Sequence, residues 1–121
     1  MANPFVHVEL NTTDIAKAKA FYGALFGWKQ KDVPMGGGNS YTMVDVGDGT
    51  GGGMQAHPVS GAPSAWLAYV NVDDLKASTE KARKLGATVM REPMEVMGMG
   101  SLSIIVDPTG AVLGLWQEGA K

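Results

Sequence analysis

The chain has 121 residues, 45% of them apolar, and a net charge of −2 from ten Lys and Arg against twelve Asp and Glu. That is enough for one compact domain with a core, too apolar for a disordered chain, and without the basic stripe a nucleic-acid partner requires. No cysteine is present, which excludes disulfides, thiolate metal sites and cysteine nucleophiles.

The opening MANPFVHVEL lacks the basic lead and long apolar run of a signal peptide, and no apolar stretch approaches the ~20 residues of a membrane span. The expectation is a soluble cytoplasmic protein with no membrane partner. From Phe5 to Asn11, Val6, Val8 and Leu10 alternate with Phe5, His7, Glu9 and Asn11, which predicts a strand. Thr12 or Thr13 then offers an oxygen to the free amides of a helix, with Asp14 near its positive end. Ile15, Ala18, Phe21 or Tyr22, and Leu25 recur at helical spacing, and Gly27 supplies a left-handed stop. WKQKDV and SYTMVDV read as the next strands, GDGTG as a turn and GGMQA as a short fourth strand. The glycine clusters MGGGNS and GDGTGGGM read as turns, because neither follows a strand and opens a helix with a lysine as a phosphate loop does.

HPVSGAPSA, with two prolines, reads as a linker. After it, WLAYVNV gives a strand and Asp74 a helix start. Leu75, Ala82 and Leu85 fall on one helical face, and Gly86 is a stop. TVMREPMEV, SLSIIVD, the turn DPTG and AVLGLWQ complete the chain. A shift of sixty residues superposes the halves: Asn11 meets Asn71, Asp14 meets Asp74, Leu25 meets Leu85, Val44 meets Ile104 and Val46 meets Val106. Each half is therefore a βαβββ module, about 5–56 and 65–118, joined by the linker 57–64 within a single domain spanning 1–121. The expected class is α+β, with both modules in one curved mixed sheet and the helices on its outer face. Val6, Val8, Leu10, Ala68, Val70 and Val72 would face the helices. His7, Glu9, Met43, Leu67, Tyr69, Ser103 and Trp116 would line the opposite, concave face.

This layout resembles the vicinal oxygen chelate superfamily, which includes glyoxalase I, bleomycin-resistance proteins, extradiol dioxygenases, fosfomycin-resistance proteins and methylmalonyl-CoA epimerase. The resemblance runs from Phe5 to Gln117. Its carriers are HVELNTTDIAKAKAFYGALFGW, VNVDDLKASTEKARKLGATV and DPTGAVLGLWQ. It implies a scaffold rather than one reaction. It also implies metal ligands at inward positions on the first and last strand of each module, of types suited to zinc, nickel, manganese or iron. His7 matches the first position. Leu67 stands at its equivalent, Met54 or Gln55 at the next according to the turn, and Gly114 where glutamate is expected. Glu9 shares the face of His7, their α-carbons about 6.6–6.8 Å apart from strand rise. A third ligand is missing, His57 has no chelating pattern around it, and no metal or other cofactor is expected.

His7 and Glu9 have two readings: a solvated or internally hydrogen-bonded pair, or a proton-transferring and orienting pair in a cleft. As a site they are the candidate catalytic residues. Met43, Met54, Leu67, Tyr69, Ser103 and Trp116 are the candidate ligand-binding residues, with Gly114 opening space beside them. The Met-rich MREPMEVMGM reads as a lid or a dimer contact, with MGGGNS as its counterpart at the mouth. The expected function is a small-molecule binder of sequestering or resistance type. The alternative is an enzyme of glyoxalase/lyase, isomerase or dioxygenase type using His7 and Glu9. Exposed sheet edges and methionines further predict a homodimer.

Overall fold

A computed structural model describes residues 2–36, 39–96 and 98–119. The element order is β1 (Phe5–Thr12), α1 (Ile15–Phe26), β2 (Lys29–Gly36), β3 (Asn39–Asp45), β4 (Gly52–Ala56), β5 (Ala65–Asn71), α2 (Leu75–Lys84), β6 (Thr88–Val96), β7 (Gly100–Val106) and β8 (Val112–Glu118). The α+β class and the twofold βαβββ pattern are as expected. The chain forms two compact units, His7–Leu67 and Met1–Val6 with Ala68–Lys121.

These boundaries differ from 56 and 65 for reasons visible in the contacts. The Asn71 amide donates to the Pro4 carbonyl at 2.9 Å, and Asn3 Nδ2 donates to the Asn71 carbonyl at 2.9 Å, so the chain start joins the later unit. Trp66 packs edge-on against Tyr22, with centroids 5.5 Å apart, so the start of β5 joins the earlier one.

In the 7–67 unit the strand order is β2-β3-β4-β1, with β1 and β4 parallel and the other pairs antiparallel. Asp14, in extended conformation, caps α1: its carboxylate accepts from the Lys17 amide at 3.0 Å. Thr12 serves one step earlier, its hydroxyl oxygen accepting from the Asp14 amide at 3.2 Å. Gly27 ends the helix at φ 69°, the left-handed stop its position suggested. Leu10, Val44 and Met54 form the core, covered by Ile15, Ala18, Tyr22, Trp28 and Val46.

The other unit repeats the plan with strand order β5-β8-β7-β6, β5 and β8 being parallel. Asp74 caps α2 by accepting from the Ala77 amide at 3.1 Å. Val72, Leu75, Ile105 and Leu115 are the core. The pairing corrects the sixty-residue shift in its later part. Val44 corresponds in role to Ile105, not Ile104, because both sit in the helix-covered cores. Strand β6 carries two register irregularities, between Val89 and Arg91 and between Arg91 and Met94. The repeat has gained one residue, and every side-chain face after it changes. Leu25 and Leu85, assigned to buried helical faces, are both exposed.

Candidate functional site

The site is built on the face of β1, β3 and β4 that turns away from α1. Register places Met43, Gly53 and Glu9 side by side across the three strands. Gly53 leaves a flat seat there. A β-carbon on it would lie 2.1 Å from Cε2 of Tyr41. The Tyr41 ring therefore reaches across β4, and its hydroxyl arrives between His7 and Glu9 on β1. It donates to Glu9 Oε1 at 3.0 Å and lies 2.7 Å from His7 Nε2. The phenol has one proton, and the carboxylate takes it, so His7 donates from Nε2–H to the phenolic oxygen. That fixes the imidazole tautomer.

Two amides complete the network. Asn11 Nδ2 donates to Glu9 Oε2 at 3.2 Å, and Gln55 Nε2 bridges Glu9 Oε2 at 3.4 Å and Asn11 Oδ1 at 2.8 Å. Glu9 is only 7% exposed. A buried carboxylate is costly unless its oxygens are hydrogen-bonded, and here three side chains supply donors. Burial pushes the His7 pKa below its ordinary value of 6.5, partly opposed by the Glu9 charge.

A pH dependence follows. A histidine whose folded pKa is depressed binds its proton better when unfolded. Its contribution is complete above the unfolded pKa and lost as pH falls from about 6.5 through the folded value. Urea midpoints of the native chain should therefore fall faster than those of His7→Gln below pH 6.5. Parallel curves would show that His7 charges freely in the folded state.

The sequence-derived site residues separate by face. His7, Glu9 and Met43 share the face described, with Met43 at its exposed margin. Met54 is corrected: it lies opposite Leu10 in the ladder, on the other face, fully buried in the core at 0% exposure. The turn resolves so that Gln55, not Met54, shares the face of Glu9. Leu67 is buried near the end of this unit.

In the other unit Ser103 is also corrected. It pairs with Leu115 on the α2 side and is fully buried 2.9 Å from the Thr79 hydroxyl. That hydroxyl gives its proton to the Leu75 carbonyl at 2.7 Å, so Ser103 is the donor to Thr79. Trp116 lies in register between Asn71 and Leu102, on the face away from α2. Tyr69 is buried beside Gly114. A β-carbon at Gly114 would lie 2.3 Å from Cδ1 of the Tyr69 ring, so the space expected there is filled by the phenol rather than left open. Each unit thus seats a tyrosine ring on a glycine of its last strand.

Sequence reasoning missed Tyr41 and Asn11 and weighed Gln55 only as a metal ligand. Asn11 was detectable, standing two residues beyond Glu9 on one strand face. Tyr41 was not, because the Gly53 seat depends on cross-strand register. Of the Met-rich segment, Met90, Met94 and Met99 are exposed, while Met97 lies outside the described residues, as do Gly37 and Gly38 of MGGGNS. His57 Nδ1 accepts from the Val59 amide at 3.0 Å, a local turn bond.

The residues present do not fit the divalent ion that the fold family implies. Among the described residues no three His, Cys, Asp or Glu side chains gather. His7 Nε2 and both Glu9 oxygens are directed at neighbouring side chains. Among the described residues no helix is long and apolar enough to cross a membrane.

Comparison with known proteins gives three findings. Residues 5–115 match the family described as Glyoxalase/Bleomycin resistance protein/Dioxygenase superfamily. CFP32 of Mycobacterium tuberculosis, named as a candidate glyoxylase, is 40% identical over 114 residues, covering 91% of this chain and 44% of that protein. The anthracycline biosynthesis protein DnrV of Streptomyces peucetius is 28% identical over 125 residues, covering 92% of this chain and 46% of its own. The chain thus spans less than half the length of these curated relatives. Among solved structures, methylmalonyl-CoA epimerase from Mycobacterium tuberculosis superposes with a TM-score of 0.71 at 16% identity, covering 96% of this chain and 88% of that one. That is a likeness of fold.

Proposed function

The chain belongs to the glyoxalase/bleomycin resistance protein/dioxygenase superfamily, and on that premise we propose that it is a metal-independent binder of a small organic molecule. The polar floor for the ligand is His7, Tyr41 and Glu9, with Met43 at the apolar margin. Under this proposal the protein works as a homodimer in the cytoplasm and sequesters its ligand.

One observation carries the reading: the hydrogen-bonded network centred on Glu9. Tyr41, Asn11 and Gln55 hold the carboxylate, and Tyr41 holds the Nε2–H of His7. A general base must present its lone pair to substrate. Here each group's mapped contacts point inward, and the network stiffens a recognition surface. The relative named for anthracycline biosynthesis directs the choice of ligand towards planar polycyclic molecules with oxygen substituents. A second reading, a lyase or isomerase, draws on one feature: the depressed pKa leaves His7 neutral near pH 7, the form that accepts a proton.

The test is calorimetric titration of the purified chain with an anthracycline, and separately with methylmalonyl-CoA, alongside a turnover assay of each. Saturable binding without turnover is expected. Glu9→Gln should weaken it by about 1–3 kcal/mol through loss of charge-assisted hydrogen bonding. Product formation that vanishes in Glu9→Gln would replace the binder by the enzyme.

A further inference from the structure

Helix α1 has more apolar surface than its own unit uses. Its sequence IAKAKAFYGALF contains no fully buried residue. Ile15, Ala18 and Tyr22 meet the core. Phe21, Leu25 and Phe26 do not, and stand 56%, 55% and 57% exposed. Helix α2, LKASTEKARK, shows the ordinary arrangement: a polar outer face over Leu75 and Thr79. An amphipathic helix needs one apolar stripe, and α1 has a second.

The second stripe continues into an aromatic strip. Phe21 meets Tyr22 edge-on at 4.9 Å, Tyr22 stacks on Trp28 at 5.6 Å, and Phe26 lies 4.8 Å from Trp28. Trp66 stands nearly perpendicular to Trp28, at 87° and 6.5 Å. Beside the two tryptophans a cleft of about 310 Å³ opens, walled by Val8, Val44 and Val46 and floored by Gly51 and Gly52. Projecting apolar side chains and an apolar hollow therefore lie on one surface of the 7–67 unit. Monomers rarely expose so continuous an apolar patch.

We propose that this α1 surface docks a second copy of the chain. The inference rests on the homodimer reading and replaces the sheet edges and Met-rich segment as its contact. A twofold interface uses one patch twice, so the patch must complement itself. Phe21, Leu25 and Phe26 of one copy supply the projections, and the Trp28–Trp66 cleft of the other supplies the hollow. Relative lengths favour a like partner. The matched 114 residues are 44% of the mycobacterial relative, so the part of that protein beyond the match is longer than this whole chain. Proteins that carry this domain carry beside it, in one polypeptide, room for another. A second copy supplies the equivalent here.

The test is sedimentation velocity across about two decades of concentration around tens of micromolar. The chains compared are native, Phe21→Asp with Phe26→Asp, and Met94→Asp with Met99→Asp. The native and methionine variants should be dimers and the helix variant a monomer with native circular dichroism. Hydroxyl-radical footprinting of the native chain at low and high concentration covers the case of a misfolded variant. Phe21, Phe26 and Trp66 should gain protection as the dimer forms. A helix variant that remains dimeric, or protection confined to Met94 and Met99, overturns the proposed surface and leaves the dimer standing. A native chain that stays monomeric throughout removes the dimer and the surface together.

Discussion

Gly52→Ala should cost the protein about 3 kcal/mol or more, the upper end of what overpacking costs. A β-carbon at position 52 would lie 2.1 Å from the carbonyl oxygen of Val8, its ladder partner on β1. Backbone cannot rotate aside as a side chain does. Either the parallel pairing of β1 with β4 opens, or β4 shifts and carries Met54 out of the core. Against a total stability of about 5–15 kcal/mol, that is a large loss. Urea denaturation should show a much lower midpoint with an unchanged slope. Gly53→Ala is the comparison, since its β-carbon meets the movable ring of Tyr41. Equal midpoints for the native chain and Gly52→Ala would mean that the strands separate at little cost.

Met54→Ala should destabilise by about 2–5 kcal/mol, the range for emptying a buried methionine position. The side chain is wholly enclosed between Leu10, Val44 and the underside of α1. Had it lined a ligand cleft, truncation would weaken binding and leave folding nearly intact. The position under α1 gives the opposite pattern: a lowered urea midpoint, with anthracycline affinity little changed in the folded fraction. Met43→Ala, on the far face and partly exposed, should reverse the two effects. Loss of affinity in Met54→Ala without loss of stability would return this residue to the site.

The two methionines show where sequence parity was sufficient and where it failed. Strand β1 was legible because Val8 and Leu10 alternate with His7, Glu9 and Asn11 over an unbroken run, and a face assigned at one residue holds for the rest. The two helices were legible from Asp14, Gly27 and Asp74. Met54 follows the glycine run GDGTGGGM, which has no side chains to mark parity, so its face is decided only by pairing with Leu10. Ser103 was misplaced for a related reason. The irregular β6 adds a residue to the repeat, and a polar side chain was assumed to seek a cavity when Thr79 could satisfy it under a helix. Tyr41 lies beyond any local pattern, because its ring is placed by a missing side chain on a neighbouring strand. The outer apolar stripe of α1 was half-visible in the unresolved choice between Phe21 and Tyr22: Tyr22 meets the core and Phe21 faces outward.

The hydrogen bonds joining Asn3 and Pro4 to Asn71 also set an order of events on the ribosome. Residues 7–67 emerge first and hold nearly all the partners of their own unit, so this unit can close while the rest is still being made. Residues 2–6 cannot find their place until Asn71 has left the exit tunnel. At about 5–20 residues per second, they wait several seconds as an unpaired strand end. The entropic cost of closing so long a loop grows only slowly with its length, so the delay is one of timing more than of free energy. During that interval the nascent chain exposes edge backbone capable of pairing with a neighbour on the same message. The last step of folding returns the first residues made to a strand that did not yet exist when they emerged.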